Sequence, residues 1–231
     1  RHIDRLVAPS RFLRDRYVEW GIPPSRIEHL PNVIDAPVSR VRNRRSSGAT
    51  RFVFMSQHTP YKGLDVLLEA LALLEEREPV AISAMNVEVW GSGIERFGPS
   101  WVDRIDNLKR RLGPWVSFRG AYRPDQRGEI FSRADWTIIP SIWWENRPLV
   151  IEESLACGVP VIASNIGGMA ELVSSPERGR TFETGDASSL ADEMLAAAGN
   201  HLAPAGYVPA TTASEHLALY RSLMEQGETE Q

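Results

Sequence analysis

Arg51-Phe52-Val53-Phe54-Met55-Ser56 is followed, after the turn 57–63, by Leu64-Asp65-Val66-Leu67-Leu68-Glu69-Ala70-Leu71-Ala72-Leu73-Leu74-Glu75-Glu76. The first run is short, aromatic and apolar, which reads as a buried strand. In the second, Leu64, Leu67, Leu68, Leu71 and Leu74 recur at helical spacing and make one apolar stripe. The same couple repeats downstream. Val87-Glu88-Val89-Trp90 ends in Gly91-Ser92-Gly93 and precedes a helical period over 101–112, closed by Gly113. A strand over 116–120 leads to a helix that Pro124 opens and that runs to Arg133. Trp136-Thr137-Ile138-Ile139-Pro140 leads to a helix over 148–156, ended by Gly158; Val161-Ile162-Ala163 is another strand, and 190–198 a further helix. Strands joined by helices are βαβ units, so the expected fold class is α/β, a parallel sheet with helices on both faces. Ligands of such sheets sit beyond the carboxyl ends of the strands. The turns to search are therefore 57–63, 91–93, 120–124, 141–148 and 164–168.

Composition narrows the function classes. The 231 residues are 42% hydrophobic and 24% charged with a formal net charge of −4, which supports a packed core and gives no global field for nucleic acid or an anionic membrane. No apolar run approaches the roughly eighteen residues of a membrane span. The single cysteine, Cys157, excludes an internal disulfide and a multi-cysteine metal site, and beside Gly158 it reads as a packed apolar residue. Arg1-His2-Ile3-Asp4 is neither a methionine start nor a signal peptide, so a fragment of a longer protein is expected. Residues 4–32 hold a strand (Leu6-Val7-Ala8), a Ser10-capped helix to Trp20 and a second strand near 27–30. The stretch 35–50, rich in Arg, Ser and Pro, reads as an interdomain crossing. The expected division is 1–34, 35–50, 51–205 and 206–231. In the last part, Thr212-Ala213-Ser214-Glu215 has capping-box spacing and opens a helix to about Met224, with 226–231 frayed.

Several residues could carry chemistry. Glu145 and Glu153 flank Pro148, which suits a first helical position. A helix beginning there puts Glu145 in the loop above and Glu153 inside, both near the helix's positive end. The free amides of Leu149 and Val150 suit a phosphate, and Glu153 can accept from a ribose diol. By spacing alone, dipole-favoured surface glutamates are the commoner explanation. Lys62, between a strand end and a long helix, suits a diphosphate clamp, although a solvated lysine in a turn is the more ordinary reading. Gly91 and Gly93, like Gly167-Gly168, are weak signals of close backbone approach to a ligand. Arg40, Arg42, Arg44 and Arg45 read as a solvated linker. Of the histidines, only His58 lies in a ligand-facing turn, where it is expected to be solvated. Trp143-Trp144 is read as wall packing in preference to a sugar-stacking surface.

Together these pieces resemble one family. The run from Glu145-Asn146-Arg147-Pro148 to Val161-Ile162-Ala163-Ser164, with Gly167-Gly168 and Glu171, resembles the E-x7-E region of family 4 retaining glycosyltransferases. Ser56-Gln57-His58-Thr59-Pro60-Tyr61-Lys62-Gly63 is similar to that family's donor-phosphate loop. Leu6 to Ser10 and Pro31 to Asp35 are similar to the end of its first domain and the crossing into the second. The resemblance implies the C-terminal half of a GT-B fold, with a Rossmann-like sheet that binds a nucleotide sugar (a UDP-, GDP- or ADP-sugar) and a missing N-terminal domain that binds the acceptor.

It also implies roles. Lys62 and the Leu149 and Val150 amides hold the leaving diphosphate, so no metal or other cofactor is required; Gln57 belongs to the donor loop. Glu153 positions the ribose, Glu145 contacts the donor sugar or stabilises the positive ring, and Gly91, Gly93 and Gly120 border the base. Two departures stand out. The family loop has arginine five residues before the lysine, where this chain has Gln57, a lost charge that either weakens the hold on the diphosphate or is compensated by Arg147 or the absent domain; and Pro148 replaces a glycine. The expected protein is cytoplasmic, compatible with peripheral contact at the inner membrane face, and the chain alone is inactive. The rival readings are a GT-B nucleotide-sugar epimerase, with His58 as the candidate base, and a nucleotide-binding domain that has lost catalysis.

Overall fold

The computed structural model of the chain describes residues 3–34, 48–198, 207 and 213–229. The basic run 40–45, most of the proposed crossing and the start of the last helix at Thr212 lie outside them. In chain order the elements are β1 (Leu6–Ala8), α1 (Arg11–Glu19), β2 (Ile27–His29), β3 (Thr50–Met55), α2 (Leu64–Arg77), α3 (Pro79–Ser83), β4 (Met85–Trp90), α4 (Pro99–Arg111) and β5 (Val116–Gly120). There follow α5 (Arg127–Arg133), β6 (Trp136–Ile139), α6 (Leu149–Ala156), β7 (Val161–Ser164), α7 (Gly167–Leu172), β8 (Gly179–Phe182), α8 (Ala187–Ala197) and α9 (Ala213–Thr229).

β3 to β8 form one parallel sheet in the order β5-β4-β3-β6-β7-β8. The chain builds outward from β3 to one edge, returns to the centre at β6, and builds to the other edge. That is the doubly wound Rossmann order, and the direction of winding reverses between β3 and β6. Alternation along β3 supplies both faces: Phe52 and Phe54 join the core under α2, α4 and α8, while Val53 and Met55 pack against α5. Ile151 and Leu155 of α6 and Met169 and Leu172 of α7 complete the second face. The stripe Leu64, Leu67, Leu68, Leu71 and Leu74 is buried throughout. Truncating one of these leucines to alanine should cost about 2–5 kcal/mol.

Three elements have no counterpart in the sequence expectation. α3 is five residues long, β8 is the short edge strand Gly-Arg-Thr-Phe, and α7 begins on Gly167-Gly168, where helix breakers read as a turn. The helix after Pro148 also starts one residue late. Pro148 has ψ 115°, outside the helical range, and is the cap, so Leu149 is the first helical residue.

β1 and β2 pair in parallel around α1 as a separate small unit. It packs on α7, where Glu171 Oε2 accepts from the Phe12 N–H of α1's first turn at 3.0 Å, beside the Ser10 cap on Leu13. A carboxylate there answers the unsatisfied amides and the positive end of α1.

Candidate functional site

The carboxyl ends of β3 and β6 place two loops side by side at the switch. Gly63, closing the first, has φ +70°, and a Cβ there would lie 1.9 Å from the Pro140 carbonyl oxygen at the start of the second. Only glycine allows this approach. The Ile142 N–H also donates to the Tyr61 carbonyl at 3.0 Å. The result brings Lys62 onto Glu145: their side chains form an ion pair, and the Ser141 hydroxyl donates to the same carboxylate oxygen at 3.0 Å. The cleft between them is lined by Ser56, Lys62, Ser141, Glu145, Pro148 and Val150.

α6 starts at this cleft. The Leu149 and Val150 N–H groups are its first two and have no acceptor four residues back within the helix, so they present positive potential beside Lys62. Buried polar bonds hold the helix down: Thr137 Oγ1 and Ser154 Oγ are 2.6 Å apart, and the Ser154 hydroxyl donates to the Val159 carbonyl. Glu153, one turn in, is buried on the other flank and paired with Arg127 of α5. Tyr122 packs nearby, its phenol pKa raised by burial and then by the Glu153 charge. The site thus joins Lys62, Glu145, Leu149 and Val150 directly, with Glu153 adjoining.

The remaining glycines form a stitched rim. The His58 N–H donates to the Ser92 carbonyl at 2.9 Å and the Gly91 N–H to the Gly120 carbonyl at 2.8 Å, linking the loops after β3, β4 and β5. Gln57 is exposed on this rim, and Gly93 lies in the same loop.

Several expectations are corrected. His58 is not solvated: it is 3% exposed, packed near the Phe54 and Phe118 rings, and a Cβ on Gly91 would lie 2.9 Å from its Nε2. Burial lowers its pKa, partly opposed by a hydrogen bond with the Trp90 backbone. Arg147 does not compensate for Gln57. It is buried and grips Glu152 with Nε–Oε2 2.9 Å and Nη2–Oε1 2.7 Å. Burial pulls its pKa down, but Glu152 outweighs that and leaves it raised. Gly167-Gly168 admits the chain's own loop: the Gly168 N–H donates to the Glu145 carbonyl at 2.8 Å, and a Cβ on Gly168 would lie 1.8 Å from the Asn146 carbonyl oxygen. Trp143 and Trp144 are not wall packing. They are 60% and 49% exposed, each touching one ring, Tyr61 and Phe12 respectively.

Arg127 and Ser141 belong to the site and no spacing pattern announced them. Among the described residues, no group of three or more His, Cys, Asp and Glu is placed to hold a metal ion, and no helix is long and apolar enough to cross a membrane. A cavity of about 540 Å³ lined by Thr50, Asn86, Glu88 and Asp135 lies at the opposite, amino ends of the strands. Helix N-termini do not converge there, and the candidate site is the carboxyl-end cleft.

Comparison with known proteins follows the same geometry. The family model described as glycosyl transferases group 1 matches residues 35–201. A D-inositol 3-phosphate glycosyltransferase of Rhodococcus opacus (strain B4) is 34% identical over 187 residues, covering 76% of this chain and 41% of its own length. The chain therefore spans less than half of that relative. Among solved structures, a glycosyltransferase from Rickettsia africae ESF-5 superposes with a TM-score of 0.70 at 24% identity, covering 84% of this chain and 53% of the other. Anabaena Alr3699/HepE, in complex with UDP-glucose, superposes with a TM-score of 0.65 at 22% identity, covering 85% and 54%.

Proposed function

We propose, from the premise that this chain belongs to the group 1 glycosyl transferases, that it is the donor-binding part of an enzyme that moves a sugar from a nucleoside-diphosphate sugar to an acceptor with retention of anomeric configuration. The observation that carries the proposal is the meeting of the Lys62 ammonium, the α6 amides and the Glu145 carboxylate at the β3/β6 switch. The UDP-glucose held by a structural neighbour supports a UDP-sugar as donor, and the relative's name supports a small polyol phosphate among acceptors to try.

The chemistry follows from charge. Without donor, Lys62 is neutralised by Glu145. An arriving diphosphate competes for the ammonium and takes the Leu149 and Val150 amides as further donors. Glu145 then faces the sugar. As the bond from the anomeric carbon to the diphosphate oxygen breaks, positive charge grows on the ring and negative charge on the diphosphate. Lys62 and the amides stabilise the leaving group more in the transition state than before it, and the Glu145 carboxylate stabilises the ring. Each such preorganised donor is worth about 2.7–4 kcal/mol of barrier. The acceptor oxygen bonds the same face of the anomeric carbon and passes its proton to a donor phosphate oxygen, so no protein base is invoked. Glu153 shares its lone pairs between Arg127 and the ribose, and the rim from Gln57 to Gly120 borders the base.

The epimerase reading needs a histidine facing the sugar; His58 lies under Gly91 between two aromatic rings, which disfavours it. Cytoplasmic location and a separate acceptor-binding domain complete the proposal. Calorimetric titration of the chain with UDP, GDP and ADP, then with their glucose conjugates, tests it. The chain should bind one diphosphate preferentially and transfer nothing unaided. Failure to bind any of the three rejects donor binding; turnover by the 231 residues rejects the division of labour.

A further inference from the structure

Glu145 carries its proposed role only if its loop is held still, and each residue from 144 to 147 has its own anchor. Trp144 packs edge-on against Phe12, with ring centroids 5.6 Å apart. The Glu145 carbonyl accepts from Gly168. Asn146 Oδ1 accepts from the Ser10 hydroxyl at 3.1 Å. Arg147 is the deepest anchor: its side chain is 4% exposed and that of Glu152 is fully buried. Beyond its fork on Glu152, its Nη1 reaches the Pro9 carbonyl at 3.4 Å, while the Tyr207 hydroxyl donates to Glu152 Oε1 at 2.7 Å. A guanidinium fork on a buried carboxylate fixes direction as well as distance. Pro9, Ser10 and Phe12 all belong to the β1–α1 unit, so that unit and α6 grip the Glu145 loop from two sides.

We propose that Arg147 is a positioning residue, whose buried pairing with Glu152 locks the 144–147 loop to α6, whose reach to the Pro9 carbonyl ties it to the β1–α1 unit, and which so aims the Glu145 carboxylate at the donor sugar. This rests on the reading of Glu145 as the sugar contact. Arg147 touches no reacting atom; its work is to keep Glu145 where Lys62 and Ser141 meet it. The lock also ties the small unit to the sheet domain at the residue on which sugar recognition turns.

The test uses the 231-residue chain with Arg147→Met and Arg147→Lys. Because Arg147→Met leaves the Glu152 charge buried and uncompensated, the double variant Arg147→Met/Glu152→Met, which removes both charges at similar volume, is made alongside. Amide hydrogen exchange at Gly168 reads the position of Glu145 directly and needs no ligand. Both methionine variants should exchange there at least about tenfold faster, the change expected for lost charge-assisted hydrogen bonds, while the sheet amides of Ile138 and Ile162 stay protected. Lysine, with a point charge and no fork, should recover part of the protection. In the same variants the extra affinity of UDP-glucose over UDP should fall, and UDP itself should bind no more weakly than in the parent, because a loosened Glu145 competes less for Lys62. Unchanged exchange at Gly168 in the double variant, or acceleration shared equally by the sheet amides, overturns the proposal. If the parent itself shows no preference for UDP-glucose over UDP, the reading of Glu145 as sugar contact fails instead, and the Gly168 measurement still decides whether Arg147 positions the loop.

Discussion

Lys62 and Glu145 lie 83 residues apart and form an ion pair across the two strands where the winding of the sheet reverses. The pair means that the cation suited to a diphosphate is already occupied, and that ligand and carboxylate compete for it. Glu145→Gln removes the competitor, so UDP should bind several-fold more tightly while UDP-glucose gains little over UDP. Lys62→Ala should weaken UDP by roughly 10–100-fold, the range for losing a hydrogen bond to a charged group. Titration calorimetry reads both. Equal UDP affinity in Lys62→Ala and the parent would remove the ammonium from the binding scheme.

Gln57 stands on the rim where the family resemblance leads one to expect a second positive charge, and it is exposed. Gln57→Arg should therefore leave the thermal midpoint unchanged and tighten UDP by up to about tenfold at low ionic strength, with the gain shrinking as salt screens the added charge. Affinities at low and high salt check this. A gain that ignores salt would point to packing rather than charge.

Gly63 and Gly168 hold the two site loops together by leaving no room for a side chain. Gly168→Ala and Gly63→Ala each drive a methyl group into a backbone carbonyl, 1.8 and 1.9 Å away before relaxation. Each should cost more than about 2 kcal/mol in urea unfolding, and Gly63→Ala adds backbone strain at φ +70°. Gly113→Ala, whose Cβ would sit 3.7 Å from its nearest neighbour, is the control and should change stability by less than about 0.5 kcal/mol. If all three behave alike, the close contacts do not govern the loops.

Burial depresses the pKa of both His58 and His29, in His29 against the attraction of Glu171. The unfolded chain therefore takes up these protons at higher pH than the folded one. Stability should fall as the pH drops through 6.5, the unfolded value, and the loss should level off below the folded values. Urea midpoints at about pH 8 and about pH 5 measure the fall, and His58→Phe should make it shallower. An identical decline in that variant would mean that His58 is not held neutral in the fold.

What could be read in advance follows from the range of each interaction. The Phe52–Met55 strand and the Leu64–Leu74 stripe are local periodicities, and burial on both faces follows from them. Lys62 and Glu145 were recognisable as turn residues after strands. Their contact was not, because it depends on β3 and β6 being sheet neighbours, a property of winding order that no window of sequence contains. Arg147 illustrates the same limit: a guanidinium beside a phosphate-suited helix reads as a clamp until its partner on α6 is known. Gly167-Gly168 misled in the other direction. Two helix breakers mark a turn by local rules, yet here they open α7, because the Glu145–Asn146 backbone must pass against them. His58 looked solvated because turns usually are; the close packing of Gly91 over its ring is a tertiary event.

The half-exposed indoles of Trp143 and Trp144, next in line to Glu145, make the site optically addressable. An aqueous quencher such as iodide reaches them, while Trp136, with 1% of its surface exposed, stays dark to it. A nucleotide sugar arriving over that loop shields these two indoles and leaves Trp20, 67% exposed at the end of α1, open to the quencher, so a fall in the quenchable fraction reports occupancy on the unlabelled protein.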